Sequence, residues 1–211
     1  MAEPRRRKSK NGEESRQKIL DAATEIAGER GYDGTSIALV SERSGLPASS
    51  IYWHFKDKDA LLAAVIERSF GRWLAGAGAW VPPREDATRL QLVAAMMQQT
   101  AKALFDAPHF LRLGLMLTLE RRPEEVSART MFLQTRDEAY RRTVASYTSL
   151  FTELDSSAVR QLATFTMAMA DGLFIAAEVD GEGIDLLSQF ETLAAAVLGA
   201  AEHLARSDYS S

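Results

Sequence analysis

The chain has 211 residues, with 46% hydrophobic and 26% charged side chains and a formal net charge of −4. That is ordinary globular make-up, enough for about one or two domains, and it excludes wholesale disorder. Cysteine is absent, which excludes a disulfide framework, a thiolate zinc site and a cysteine nucleophile. No apolar run reads as long enough to span a bilayer and no apolar leader follows Met1, so a soluble, cytoplasmic protein is expected.

The charge is unevenly spread. Residues 1–10 hold Arg5, Arg6, Arg7, Lys8 and Lys10 against Glu3 alone; residues 1–60 are net +1 and residues 61–211 net −5. The negative total therefore does not weigh against nucleic acid, because phosphate is met by whichever side chains face it.

Proline and glycine cluster between periodic segments, and strict alternation is missing, so the chain is predicted all-α with about nine helices. Residues 1–13 read as a flexible basic arm. The first helix is expected over 14–30, where Ile19, Ala23, Ile26 and Ala27 recur at helical spacing and Gly31 supplies the stop. A short second helix follows at 36–44 with Thr35 as its N-cap, then a turn at Gly45. The third opens at Pro47 and ends near His54. The fourth, 58–79, turns Leu61, Leu62, Val65, Ile66, Phe70 and Trp73 inward and closes before Pro82 and Pro83. Five longer helices are expected at 86–106, 108–120, 123–153, 156–179 and 184–206. Their boundaries are Pro108, Pro123, the Asp155-Ser156-Ser157 cap and the Asp180–Gly183 loop.

Helices two and three around Gly45 form a helix-turn-helix, whose second helix meets base edges in the major groove. That helix opens on small side chains, Ala48, Ser49 and Ser50, which allow close approach, hydroxyl hydrogen bonds and contact with a thymine methyl. Ile51 and Phe55 share one face. Tyr52, Trp53 and His54 are successive residues about 100° apart, so they cannot all face one core. Aromatic and basic groups left outside suit phosphate and sugar.

Residues 15–66 resemble the DNA-binding domain of the tetracycline-repressor (TetR) family of bacterial transcription regulators. The resemblance rests on Ile19-Leu20-Asp21-Ala22-Ala23, Gly31-Tyr32-Asp33-Gly34-Thr35-Ser36, Ser44-Gly45-Leu46 and above all Ile51–Leu62. It implies a three-helix DNA-binding domain over 14–60 and a helical effector-binding and dimerisation domain over 61–211. Carried over by position, Ala48, Ser49, Ser50 and Trp53 lie towards bases, while Thr35, Ser36, Tyr52, His54 and Lys58 hold phosphates. The basic arm adds non-specific attraction or a minor-groove contact. Ala38 departs from the pattern, since many members carry a long polar side chain there.

The resemblance also implies a small-molecule pocket enclosed by helices five to seven and a homodimer through helices eight and nine. The expected pocket residues are Met96, Gln99, Thr100, Phe110, Leu113, Met116, Leu117, Met131, Tyr140, Phe165 and Met169, with methionine suited to adaptable apolar sites. For the dimer, helix eight offers Leu162, Phe165, Thr166, Met169, Ala170 and Leu173. Helix nine offers Leu186, Phe190, Leu193, Ala194, Val197, Leu198 and Ala201. The expected partners are double-stranded operator DNA, an apolar or aromatic effector and a second copy. No cofactor, metal or membrane is expected: the three histidines are scattered, and no catalytic constellation or phosphate loop appears. The alternative is a helical ligand-binding or scaffold dimer without DNA binding, which Ala38 favours and Tyr52, His54 and Lys58 oppose.

Overall fold

The computed structural model describes residues 4–77, 87–106, 108–120 and 126–208. Among them it holds α1 (Pro4–Gly34), α2 (Ile37–Ser44), α3 (Ala48–His54), α4 (Lys58–Ala77), α5 (Arg89–Asp106), α6 (Pro108–Leu119), α7 (Ser127–Leu150), α8 (Ser156–Asp180) and α9 (Leu186–Asp208). A single 3-10 turn spans Gly181–Gly183, and no strand occurs among the described residues. The all-α expectation is met. Pro82, Pro83 and Pro123 lie outside the described residues.

Packing divides the chain into two compact units, 1–72 with 107–135 and 73–106 with 136–211. This differs from a division at 60/61, because α6 and the start of α7 pack with the first unit. Three glycines allow that packing. A Cβ on Gly28 of α1 would fall on the His109 ring of α6, and one on Gly114 of α6 would fall on the Phe132 ring of α7. Gly31 has φ +67°, and a Cβ there would stand 2.6 Å from Met116 Cε. Gly31 also breaks α1, with ψ −171°, which is the stop expected at that position.

The first unit is built on one face of α1. Ile19, Leu20, Ala23, Ile26 and Ala27 are buried, together with Val40, Ile51, Phe55, Leu61, Leu62, Val65 and Ile66. Each such large side chain contributes about 1.5–3 kcal/mol through burial. Arg68 ties α4 to α1, reaching Asp21 at 2.9 Å, Gln17 at 3.1 Å and Thr24 at 3.0 Å. Arg112 of α6 donates to the carbonyl of Gly28 at 3.2 Å.

Asp59, in the first turn of α4, does a second job. Its carboxylate accepts from the backbone N–H of Ser127 at 2.7 Å and of Ala128 at 3.1 Å, so it caps α7 from another helix. It also accepts from the Tyr32 hydroxyl at 3.3 Å. Burial alone would raise its pKa, but these bonds and one from the Ser127 side chain outweigh it and hold the carboxyl below its ordinary value.

Several boundaries differ from the sequence expectation. α1 begins at Pro4, so residues 4–13 are helix and not a flexible arm. Arginine and lysine are good helix formers, and proline suits a first position. Ser36 and not Thr35 caps α2, accepting from Leu39 N at 3.2 Å. Pro47 is the N-cap of α3, which starts one residue later. α7 is 24 residues long, about 36 Å at 1.5 Å per residue, shorter than the 123–153 expected.

In the second unit, α9 buries Leu186, Phe190, Leu193, Ala194, Val197 and Ala201, and α8 buries Leu162, Ala163, Thr166 and Phe174. Most of the side chains assigned to a dimer face from sequence are therefore core. The apolar groups left outside are Phe165, Met169, Ile175 and Val179 of α8 and Leu187 of α9. Tyr147 is buried with its hydroxyl 2.9 Å from Thr166 Oγ1, and burial pushes its pKa up to about 12. Arg136 pairs with Asp171 through both guanidinium nitrogens. By length and composition α8 is apolar enough to cross a membrane, which corrects the expectation that no run is. Thr166 and Asp171 interrupt it, both satisfied inside the unit.

Candidate nucleic-acid interface

The turn between α2 and α3 is locked by local chemistry. Gly45 takes the left-handed conformation (φ 67°, ψ 17°) that closes α2. The Ser41 hydroxyl donates to Leu46 O at 2.7 Å, and Ser44 Oγ accepts from Leu46 N at 3.3 Å. Ile51 and Phe55 then pin α3 to the core. Because they claim one face, the next residues must point outward: Tyr52 is 57% exposed and Trp53 76% exposed. Ser49 is exposed, and Ala48 and Ser50 are half-buried.

His54 is half-buried and meets the Trp53 ring edge to face at 4.5 Å. Burial, then the positive charge of Arg16, lower its pKa against a weaker opposing pull from Glu13. At neutral pH it therefore offers an uncharged imidazole. Lys58 heads α4. Its ammonium donates to Tyr32 O at 3.1 Å and lies 4.4 Å from the centre of the Tyr32 ring. An ammonium has three donors, so a phosphate can be met by the others.

Thr35 departs from its expected role. Its side chain is 1% exposed, its hydroxyl donates to Gly31 O at 2.7 Å and its N–H to Tyr32 O at 3.3 Å. It fixes the bend after Gly31 and presents no surface for a phosphate. Ser36 keeps a hydroxyl proton to donate while capping α2. Ala38 is exposed and offers no polar group.

Sequence reading missed one wall of this site. Asn11, Gly12 and Ser15 of α1 line an open groove of about 380 Å³ together with Ser49, Ser50, Trp53 and His54. A Cβ on Gly12 would lie 3.7 Å from the Trp53 ring, so the indole rests beside α1. The signal was hidden because a basic run reads as a tail.

The expected effector residues divide between the two units. On α5, Met96, Gln99 and Thr100 are half-buried, and the Thr100 hydroxyl donates to Met96 O at 2.9 Å. On α6, Leu113 and Leu117 are buried while Met116 is half exposed. Met131 and Tyr140 of α7 are half-buried, and the Tyr140 hydroxyl donates to Arg160 O at 3.3 Å. Phe165 and Met169 of α8 are exposed. The Phe110 side chain lies outside those described.

Residues 19–65 match the family model for bacterial regulatory proteins of the tetR family. Over 64 residues the chain is 36% identical to the HTH-type transcriptional regulator AcrR of Shigella flexneri, covering 30% of each. Over 51 residues it is 37% identical to the tetracycline repressor protein class D of Escherichia coli, covering 24% of this chain and 23% of that one. The matches thus span under a third of these curated relatives. Among solved structures, the fatty acid degradation regulator FadR from Bacillus halodurans superposes with a TM-score of 0.70 at 15% identity, covering 87% of this chain and 94% of that one. FadR from Bacillus subtilis in complex with stearoyl-CoA gives 0.65 at 18% identity, covering 87% and 98%. At such identities the likeness is one of fold.

Proposed function

We propose that this chain, which belongs to the tetR family of bacterial regulatory proteins through residues 19–65, is a homodimeric, cytoplasmic repressor released from its operator by a small apolar effector. The observation that carries the reading is α3. Its buried Ile51 and Phe55 fix a helix that presents Ser49, Tyr52 and Trp53 to solvent. In the major groove the serines and Ala48 meet base edges, and Ser36, Tyr52, His54 and Lys58 hold the backbone.

The residues beyond α4 are the proposed effector-binding part of the chain. The relative solved with stearoyl-CoA is a precedent for a long apolar ligand. Dimerisation supplies two copies of α3, which reach successive major grooves when spaced about 34–36 Å apart or a multiple of it. An effector favouring another spacing lowers occupancy, and a hundredfold effect needs about 2.7 kcal/mol of coupling.

The test is fluorescence anisotropy on a duplex that the purified protein selects from random-sequence DNA, against a scrambled duplex, across a salt series. Tight binding at two protomers per site supports the reading. If no duplex is selected, or if selected and scrambled duplexes bind alike, the protein is not a sequence-specific regulator.

A further inference from the structure

We infer that this chain selects its operator by thymine: the base pairs under α3 are A·T pairs, held by thymine methyls packed on Trp53 and by single hydrogen bonds, with no two-bond contact to guanine. The inference rests on the DNA-binding reading and deepens it from a duplex to a class of half-site.

α3 carries none of the side chains that read a purine through two bonds. It runs Ala-Ser-Ser-Ile-Tyr-Trp-His, without arginine, lysine, asparagine or glutamine. Arginine or lysine bonds O6 and N7 of guanine, and asparagine or glutamine bonds N6 and N7 of adenine. α2 does not make up the loss. Ala38 is exposed and carries only a methyl group. Arg43 of α2 is engaged by α1, with Glu25 at 3.0 Å and Glu29 at 3.4 Å. At the head of α4, the Lys58 ammonium is drawn to Tyr32 O and to the Tyr32 ring.

What faces outward instead is a hydroxyl and an apolar plate. Ser49 and Trp53 are four residues apart and share a helix face. Trp53 lies two residues beyond the buried Ile51, about 200° round the helix, so that face is turned away from the core. The Ser49 hydroxyl makes no hydrogen bond among the described residues, unlike those of Ser41 and Ser44, which donate to Leu46 O and Ser41 O. The indole is held from two sides and still 76% exposed: the His54 ring meets it at 4.5 Å, and a Cβ on Gly12 of α1 would lie 3.7 Å away.

A positioned apolar plate beside a hydroxyl donor matches thymine, the base that shows the major groove a methyl group next to an acceptor, O4. A serine hydroxyl bonds guanine N7 as readily as thymine O4, so the methyl contact decides between them. One buried methyl is worth about fourfold in affinity, and a pair of half-sites compounds it to about fifteenfold.

The test uses the duplex that the full-length protein selects from random-sequence DNA, in three versions: natural, with deoxyuridine for every thymine, and with 7-deazaguanine for every guanine. Deoxyuridine lacks the methyl group, and 7-deazaguanine lacks the N7 acceptor. The uracil duplex should bind more weakly by about tenfold or more at an unchanged salt slope, because its phosphates are intact. The deazaguanine duplex should bind within about twofold of the natural one, having no two-bond contact to lose. Trp53→Ala removes an exposed side chain, so it should melt with the wild type. It should bind the natural and uracil duplexes alike.

Equal binding of those two duplexes by the wild type would overturn the inference. So would a loss of about tenfold on the deazaguanine duplex, which would mean that a lysine beyond α3, such as the exposed Lys56, reads guanine. A uracil penalty undiminished in Trp53→Ala would overturn it as well, since the methyls would then rest elsewhere. Failure of the wild-type chain to select any duplex would instead overturn the DNA-binding reading beneath it.

Discussion

Four positions separate His54 from Lys58, and the two make different demands on pH. His54 is held below its ordinary value of 6.5 by burial and then by Arg16. A base with a depressed pKa stabilises the fold fully above the unfolded value, and that stability declines as pH falls below it. The melting temperature of the free protein should therefore drop from about pH 6.5 downward, and His54→Gln should flatten the drop; equal slopes would remove His54 as the cause. For Lys58→Ala, binding should weaken on every duplex and the salt slope should flatten by about one unit, whereas Ser49→Ala should change which duplex is selected. Loss on all sequences from the serine variant as well would contradict its place on a base edge. At this scale the outward turn of Tyr52 and Trp53 was legible, because helix geometry forbids three neighbours from sharing one core. The role of Thr35 was not, since its acceptor exists only once Gly31 bends the chain.

Helix ends were legible where a side chain or a glycine announces them. Asp155 caps α8 through Ser157 N and Ala158 N, both at 2.8 Å, and Gly45 closes α2 as expected. The start of α1 carried no such mark: nothing in residues 5–13 forbids a helix, and a charge run looks the same in a helix or a tail. Nor could sequence place α6 against α1, because Gly28 and Gly31 matter only once His109 and Met116 arrive from far along the chain. The cap on α7 is equally remote. Asp59→Ala should cost about 0.5–2 kcal/mol, the usual worth of a helix cap, read by thermal or denaturant unfolding at neutral pH. The carboxylate's contribution is present above its ordinary value of 3.8 and lost as pH falls through the lowered one. Wild type and variant should therefore converge in acid. A gap that persists there would mean the variant fails through packing.

The whole molecule leaves an apolar stripe uncovered. Phe165, Met169, Ile175 and Val179 lie outside on α8, with exposed Gly172 among them. Residues three, four and seven apart share a helix face, and a small residue lets a second helix approach closely. This stripe is the face we propose for pairing with a second copy. Ile175→Asp combined with Val179→Asp should yield monomers in sedimentation, and operator affinity should fall by about a hundredfold as the two half-sites lose their linkage. Monomers that still bind the operator as tightly as wild type would show that pairing is unnecessary. The existence of this face could be anticipated from the apolar excess of α8 and α9. Its membership could not, because both faces of α9 read alike until α5 and α8 cover one of them.

The carboxylate that caps α7 also alters how that helix exchanges its amide hydrogens. The first amides of a helix have no partner in their own chain turn and normally exchange with solvent as the end frays. Here the amides of Ser127 and Ala128 are bonded to Asp59. Their deuterium uptake is set by how often α4 and Tyr32 let go, not by how often α7 unwinds. Two protons at one helix end thus become a clock for the opening of another helix, the one that carries Lys58.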